Sequence, residues 1–226
     1  MRKIQRLAYI GAMAAATLTL AACGGTAAPA SSPAASAPAA APMTAAPAAA
    51  DTGVTTNADV FGPACSQLPQ GDAPGSLNNM GPKPVATAAS TNPLLTTLVT
   101  AVKAVPGLPD TLNNTQGITV FAPYNGAFDA VQKQIGAPAF QGLLKDTNKL
   151  GGLLSYHVVG QRYDAKGLVA AGQTTELAGG NLTIGGTADA PTITDGQGNT
   201  AKVLCGNIPT SNATVFVIDR VLMPKS

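Results

Sequence analysis

The residue best suited to catalysis in this chain is His157, the only histidine among 226 residues. Any Ser-His-acid or Cys-His site would have to use it. Ser155 is two positions earlier, and both side chains would lie on one face if residues 156–159 form a strand. Ser155 lacks the G-x-S-x-G setting that exposes a nucleophile at a strand-to-helix turn. The spacing therefore permits proximity and leaves structural, binding and catalytic roles open for His157.

Other patterns that carry chemistry are missing from the sequence. The glycine pairs at 151–152, 179–180 and 185–186 lack the spacing with which a phosphate loop aligns its amides. Acidic residues are scattered, with no paired carboxylates. Apart from Cys23, two cysteines and one histidine fall short of the four ligands of a structural zinc site. We therefore predict no catalytic residue, no metal and no cofactor.

The N-terminus has the layout of a secretory signal. Three basic residues within the first six precede an uncharged run from Leu7 to Ala22, which is short for a membrane span. Leu20-Ala21-Ala22-Cys23 resembles a bacterial lipobox, in which the cysteine carries diacylglycerol after cleavage. We predict a lipoprotein signal peptide over 1–22 and a lipidated Cys23 that anchors the protein to the membrane. An unlipidated signal cut near an A-x-A site is the alternative.

The segment after Cys23 is composed almost wholly of Ala, Pro, Ser, Thr and Gly as far as Ala50. Such a composition buries too little surface to fold, so residues 23–54 are predicted to form an extended tether. The 13 basic residues less three in the signal leave 10, against 11 acidic residues. The mature chain has no basic cluster, so nucleic acid is not an expected partner. We expect an extracytoplasmic protein held at the outer face of the cell membrane or cell wall, and release by proteolysis in the tether stays open.

Two cysteines remain in the predicted domain, Cys65 near its start and Cys205 near its end. An exported protein favours pairing, and an even number permits it. We predict a disulfide between them.

The stretch from Thr119 to Phe128, T-V-F-A-P-Y-N-G-A-F, changes its hydrophobic period within ten residues. Residues 119–121 are β-branched or aromatic, as a buried strand requires. Pro123 ends the strand, and Asn125 is placed to cap a helix whose apolar positions recur at spacings of three and four as far as Ile135. A strand, a tight corner and a helix are therefore predicted.

The elements around this corner separate into two halves. A loop is predicted over 71–84, followed by helices over 92–105, 138–145 and 148–155. Beyond a helical turn at 165–170, short strands are predicted over 181–184, 192–194, 202–204 and 214–221. Helices in the first half and hairpins in the second indicate an α+β domain.

Three ordered motifs are similar to signatures of the fasciclin domain family: T-V-F-A-P-x-N-x-A-F at 119–128, L-S-Y-H-V-V-G at 154–160 and N-A-T-V-F-V-I-D-R-V-L-M-P at 212–224. Within the family, the chain most resembles the secreted and lipid-anchored fasciclin antigens of mycobacteria and related actinobacteria. The resemblance implies one fasciclin domain over 55–226, a wedge-shaped β-sandwich with helices packed on one side. It also implies a structural role for the signature residues, which are Thr119, Phe121, Ala122, Pro123, Asn125, Phe128, Tyr156, His157, Asn212 and Asp219.

The resemblance implies a binding function. Animal members carry an Asp-Ile pair, linked to integrin recognition, where this chain has Asn207 and Ile208. Asparagine lacks the charge that completes an integrin metal site, so integrin binding does not carry over and the pair is retained only as a candidate adhesion site. We expect an adhesion or interaction module with a partner on a host, matrix or neighbouring-cell surface. Envelope lipid or glycan binding, or a structural role, is the alternative, and an enzyme is disfavoured.

Overall fold

The computed structural model describes residues 53–225. The expected signal peptide, the lipidation site at Cys23 and the tether as far as residue 52 lie outside these residues. At the start of the described residues, the carbonyl of Gly53 accepts a hydrogen bond of 2.6 Å from Thr214 Oγ1.

The part of the chain that the structure describes contains eight α-helices. They are α1 (Leu77–Met80), α2 (Val85–Thr91), α3 (Thr96–Ala104), α4 (Leu108–Asn114), α5 (Asn125–Ile135), α6 (Ala137–Lys145), α7 (Thr147–Ser155) and α8 (Ala165–Ala171). None of these helices in residues 53–225 is long and apolar enough to span a membrane alone. The segments Val85–Thr91 and Pro93–Ala104 reach the length and hydrophobicity of a membrane span only when they are taken together. The chain bends by 100° between them.

The helices confirm part of the sequence prediction and correct another part. Asn92 accepts a hydrogen bond of 3.0 Å from Leu94 N and begins a 3₁₀ turn that leads into α3, as predicted. The predicted loop over 71–84 is wrong at α1, because Ser76 caps that short helix and Met80 is buried below it. α2 and α4 were not predicted.

Within residues 53–225, seven strands form one mixed sheet. They are β1 (Ile118–Pro123), β2 (Val158–Val159), β3 (Gln173–Thr175), β4 (Asn181–Thr187), β5 (Ala190–Thr194), β6 (Thr200–Pro209) and β7 (Ala213–Ile218). Their order is β2-β1-β7-β6-β5-β4-β3, and only β1 and β7 pair in parallel. A bridge between Val159 and Glu176 links the two edges, so the sheet curls into a nearly closed sandwich.

The curled sheet separates two apolar layers, and the central strands contribute to both. In β7, Val215 and Val217 pack with the helices, whereas Phe216 and Ile218 pack inside the curl. The same alternation places Phe121 of β1 inside, where its ring centroid is 6.0 Å from that of Phe216. Side chains alternate because successive Cβ atoms in a strand point to opposite faces. The sandwich with α1 to α7 on one face confirms the predicted α+β class.

Candidate functional site

His157 lies in the turn between α7 and β2, with 3% of its surface exposed. The Leu222 amide donates a hydrogen bond of 2.9 Å to Nε2, which must therefore be an unprotonated acceptor. Nδ1 then carries the proton and donates to the Leu153 carbonyl at 2.7 Å. Burial lowers the pKa of His157 from 6.5 to about 4, and the Leu153 carbonyl opposes this shift. The ring is neutral at pH 7 and fastens the C-terminal segment to α7.

The expected strand geometry around Ser155 does not form. Ser155 is the last residue of α7, and the strand β2 begins only at Val158. Both ring nitrogens of His157 are bonded to backbone groups, so neither accepts the Ser155 proton. A general base needs a free nitrogen within hydrogen-bonding reach of its nucleophile. This arrangement supports a structural role for His157 rather than acyl transfer.

Asn212 is the most extensively bonded signature residue, with 1% of its surface exposed. Its Oδ1 accepts from Val85 N at 2.9 Å, at the start of α2. Its Nδ2 donates to the carbonyls of Leu112 at 2.7 Å and Thr115 at 2.6 Å, at the end of α4, with a longer contact to Asn113 at 3.3 Å. The amide satisfies groups that helix ends leave unpaired. One side chain therefore fixes two helices to the start of β7.

Asn125 does not cap its own helix, so that prediction is wrong. It is the first residue of α5, whose N-cap is Tyr124. Its Oδ1 instead accepts from Thr97 N at 3.0 Å, in the first turn of α3. Its Nδ2 donates to the Pro93 carbonyl at 3.0 Å. The side chain therefore caps a neighbouring helix 28 residues earlier in the chain.

The remaining polar signature residues also bond internally. Thr119 Oγ1 donates to the Gln161 carbonyl and accepts from Tyr163 N, both at 2.8 Å. The phenolic oxygen of Tyr156 accepts a hydrogen bond of 2.7 Å from Gly196 N, and burial raises the pKa of this phenol. Asp219 Oδ1 accepts from Lys202 N at 2.8 Å. The apolar signature residues are all buried, and they are Phe121, Ala122, Pro123 and Phe128.

Cys65 and Cys205 are joined by a disulfide, with their Cα atoms 5.0 Å apart. The bond attaches the segment before α1 to β6, and a β-bridge between Phe61 and Gly206 runs beside it. Among residues 53–225, no group of three potential metal ligands is close enough to hold an ion.

A cavity of about 70 Å³ lies between the helices and the sheet. α2 contributes Ala86 and Ala89 to its walls, and α3 contributes Val99 and Val102. Phe121, Leu154 and Val158 form part of its buried floor, beside His157. The cavity exists because the residues that α2 presents are small. Lys103 is the one charged residue in its lining.

A second depression, which we call the α5 groove, runs between α5 and the C-terminal segment. It has a volume of about 310 Å³ and is lined by Gln134, Ile135, Asp219, Arg220 and Met223, among others. Ile135 is 41% exposed, which is unusual for a large apolar side chain in this domain. The groove therefore combines apolar and charged surface.

The three motifs, the curled sheet and the helical layer can be compared with known proteins. The family model of the Fasciclin domain matches residues 93–224, which is more than half of the chain. The chain belongs to the fasciclin family.

Two relatives are similar to this fasciclin domain over most of its length. The cell surface glycolipoprotein MPB83 of Mycobacterium bovis is 41% identical over 175 residues, which cover 74% of this chain and 73% of the relative. The immunogenic protein MPB70 of the same species is 38% identical over 177 residues, covering 74% of this chain and 83% of the relative. The predicted family resemblance is confirmed.

A solved structure shares the fold. It is a FAS1 domain pair from the insect cell adhesion molecule Fasciclin I, with a TM-score of 0.54 and 18% identity. The match covers 62% of this chain and 51% of that chain. At this identity the similarity establishes the fold alone.

The fasciclin domain buries the pair proposed from the sequence as an adhesion site. Asn207 is 8% exposed and Ile208 is 1% exposed. Asn207 Oδ1 accepts from Ala165 N at 2.8 Å, and its Nδ2 donates to the Asp59 carbonyl at 3.1 Å. Its φ of 57° is a left-handed conformation that asparagine tolerates better than most residues. The segment before α1 covers this position, so the prediction of a contact surface there is corrected.

Two residues that the structure singles out, one at a cavity and one in an internal hydrogen-bond network, were not found from the sequence. Lys103 is one of several exposed lysines on amphipathic helices, and only the fold places it at a cavity. Arg162 donates through Nε to Thr214 Oγ1 at 3.0 Å and through Nη2 to the carbonyls of Thr210 and Ala213. These partners are about fifty residues away, and no local motif indicates them.

Proposed function

We propose that this protein is an exported lipoprotein whose fasciclin domain serves as a surface interaction module in cell adhesion. The observation that carries the proposal is the 41% identity over 175 residues to a protein named as a cell surface glycolipoprotein. The basic, then apolar N-terminus and the lipobox-like residues before Cys23 agree with export and anchoring. The anchor would hold the domain at the outer face of the membrane or in the cell wall, at the end of an Ala/Pro-rich tether.

The bonding of the polar signature residues supports binding rather than catalysis. His157, Asn212 and Asn125 use their side-chain nitrogens and oxygens for internal hydrogen bonds. A catalytic site needs a nucleophile, a base and a group that stabilises developing charge around one point. These residues instead hold helices and strands together, which leaves the exposed surface to carry the function.

The α5 groove is our candidate contact surface for a protein partner. Protein interfaces are enriched in methionine and arginine, and both line this groove as Met223 and Arg220. The carboxylate of Asp219 is bonded to Lys202 N. Arg220 is exposed, so the groove offers an apolar side chain, Ile135, beside a cation. A partner with an apolar anchor and a nearby carboxylate would match it.

The test of the contact surface is a capture experiment with the full chain and three variants. Extracts of host-cell surfaces and of bacterial envelopes are each passed over the immobilised protein, and bound species are identified by mass spectrometry. Ile135→Asp and Arg220→Glu should each abolish capture of a saturable protein partner. Leu177→Asp is the matched control, because Leu177 is 51% exposed but does not line the groove.

Four results would count against parts of the proposal. Equal loss in all three variants, or loss in none, would contradict the α5 groove as the contact surface. Capture of lipid or glycan alone would support the alternative role in the envelope. Capture of nothing by the wild-type chain would contradict the interaction module.

The anchoring proposal has a separate test. The Cys23→Ala variant should move from the detergent phase to the aqueous phase in a partition experiment, because it lacks the diacylglyceryl group. A Ser31→Ala variant, changed in the tether, should stay in the detergent phase. Unchanged partitioning of Cys23→Ala would contradict the lipid anchor.

A further inference from the structure

We propose that the cavity between α2, α3 and α4 binds the hydrocarbon chain of a fatty acid, whose carboxylate pairs with Lys103. This site goes beyond the proposed interaction function and lies apart from the α5 groove, with which it shares no lining residue.

The walls of the cavity favour hydrocarbon over water. Apart from Lys103, the only lining side chain with nitrogen or oxygen atoms is His157, and both of its ring nitrogens are already bonded to backbone groups. A buried water needs two to four polar partners, and cavities without them stay dry and take up apolar ligands. An alkyl chain would gain the dispersion contacts that the empty walls lack.

The cavity has both a closed end and a rim. Its floor residues Phe121, Val158 and Leu154 are 0%, 3% and 6% exposed, so this end is enclosed by the core. Val99 and Val102 are only half-buried, and Lys103 is exposed, so α3 forms the rim. A volume of about 70 Å³ is about five to seven times the roughly 10–15 Å³ that one water requires, so the cavity accommodates the methyl end of an alkyl chain rather than its whole length. A linear chain can therefore insert its methyl end while its other end stays near solvent.

The charge at the rim selects the headgroup. Lys103 forms no ion pair with any residue in 53–225, where the one ion pair joins Lys149 and Asp146. The ammonium group is therefore available to an anion at the rim. A carboxylate at the end of an alkyl chain satisfies both features, whereas a neutral or cationic amphiphile satisfies only the apolar one.

The test is a calorimetric titration of the full chain with dodecanoate below its micelle concentration. Saturable binding of one molecule per chain is expected, accompanied by shifts in the methyl resonances of Val99, Val102 and Val158. No saturable binding, or shifts confined to residues outside the cavity, would overturn the proposal.

Two variants that fill the cavity locate the site. Ala89→Leu and Val99→Phe should each weaken dodecanoate binding by more than tenfold, because the added atoms occupy the space of the chain. Ala104→Leu is the control, since Ala104 is exposed in α3 and does not line the cavity. Thermal melting of each variant shows that it folds. If both filled variants melt at or above the temperature of wild type and still bind dodecanoate as tightly, the cavity is not the site.

The role of Lys103 is tested by comparing charged and neutral ligands. Lys103→Gln should weaken dodecanoate binding by about two- to fivefold, the range expected of an exposed ion pair, and leave dodecanol binding unchanged. Lys133→Gln, which removes a lysine from α5, should change neither. Equal weakening of dodecanoate and dodecanol, or no weakening of dodecanoate, would overturn the assignment of the headgroup.

Discussion

Two neighbouring regions of the interior use polar groups in opposite ways. Around Asn212 and His157, each buried nitrogen and oxygen of the side chain has a backbone partner. The cavity that adjoins this region has almost no polar groups in its walls and is not filled by side chains. The first region specifies a unique arrangement of helices, and the second leaves a space that an apolar ligand could occupy.

The two regions are connected through the helices that they share. Asn212 holds Val85 at the start of α2 and Leu112 near the end of α4. Both residues also line the cavity, as does His157. The polar contacts therefore fix the positions of the walls, while the small side chains of α2 determine that space remains between them. A preformed apolar site needs this combination, because an unsupported cavity would tend to collapse.

The largest expected effect is at Asn212. Replacing it with alanine leaves an amide of α2 and carbonyls of α4 without partners in the interior, each of which costs free energy. We expect Asn212→Ala to lower the free energy of unfolding by about 3–5 kcal/mol, measured by urea denaturation. Asn114→Ala, at the exposed end of α4, should change it by less than about 0.5 kcal/mol. Equal small changes in both variants would show that the hydrogen bonds of Asn212 do not stabilise the fold.

The sequence predicts the local corner but not the contacts that assemble it. The strand and helix predicted from Thr119 onward agree with β1 and α5, because a change of hydrophobic period is a local signal. The partner of Asn125 could not be predicted, since it caps a helix that approaches only in the folded domain. The helix α2 was missed because its alanines and threonines give no apolar stripe. That composition also leaves the cavity beside it.

The burial of Asn207 shows the same limit. The family resemblance predicted a candidate adhesion site at this position, but the segment from Asp59 to Cys65 covers it in this domain. The burial of Asn207 depends on a β-bridge and a disulfide that bring distant parts of the chain together. The exposure of a side chain therefore cannot be predicted from its local motif alone, because it depends on which distant segments pack against that motif.

The second expected effect is a dependence of stability on pH that arises from His157. The pKa of the folded state is about 4 and the ordinary value is 6.5, so the unfolded chain takes up the proton first as pH falls. The contribution of neutral His157 to the free energy of unfolding is fully present above pH 6.5 and is lost progressively between pH 6.5 and 4. The loss should reach about 3 kcal/mol at pH 4, from 1.36 kcal/mol per pKa unit.

The control for this effect is a variant that cannot titrate. His157→Gln should be less stable than wild type at pH 7, but the difference between the two proteins should shrink as pH falls to 4. Urea denaturation at several pH values measures both curves, and carboxylates that titrate equally in both proteins cancel in the difference. A constant difference across this range would show that folding does not lower the pKa of His157.

The smallest expected effect is at the cavity, where the substitution should raise the free energy of unfolding rather than lower it. Ala89→Leu adds apolar atoms to a space that the native side chains leave empty, so it should raise the free energy of unfolding by about 1 kcal/mol. Ala104→Leu adds the same atoms at an exposed position and should change it by less than about 0.5 kcal/mol. A loss of about 2 kcal/mol or more in Ala89→Leu would indicate overpacking, and hence that the walls are already in close contact. A gain would show that the cavity lowers stability in the free protein, as expected where a ligand-binding space is retained at the expense of packing.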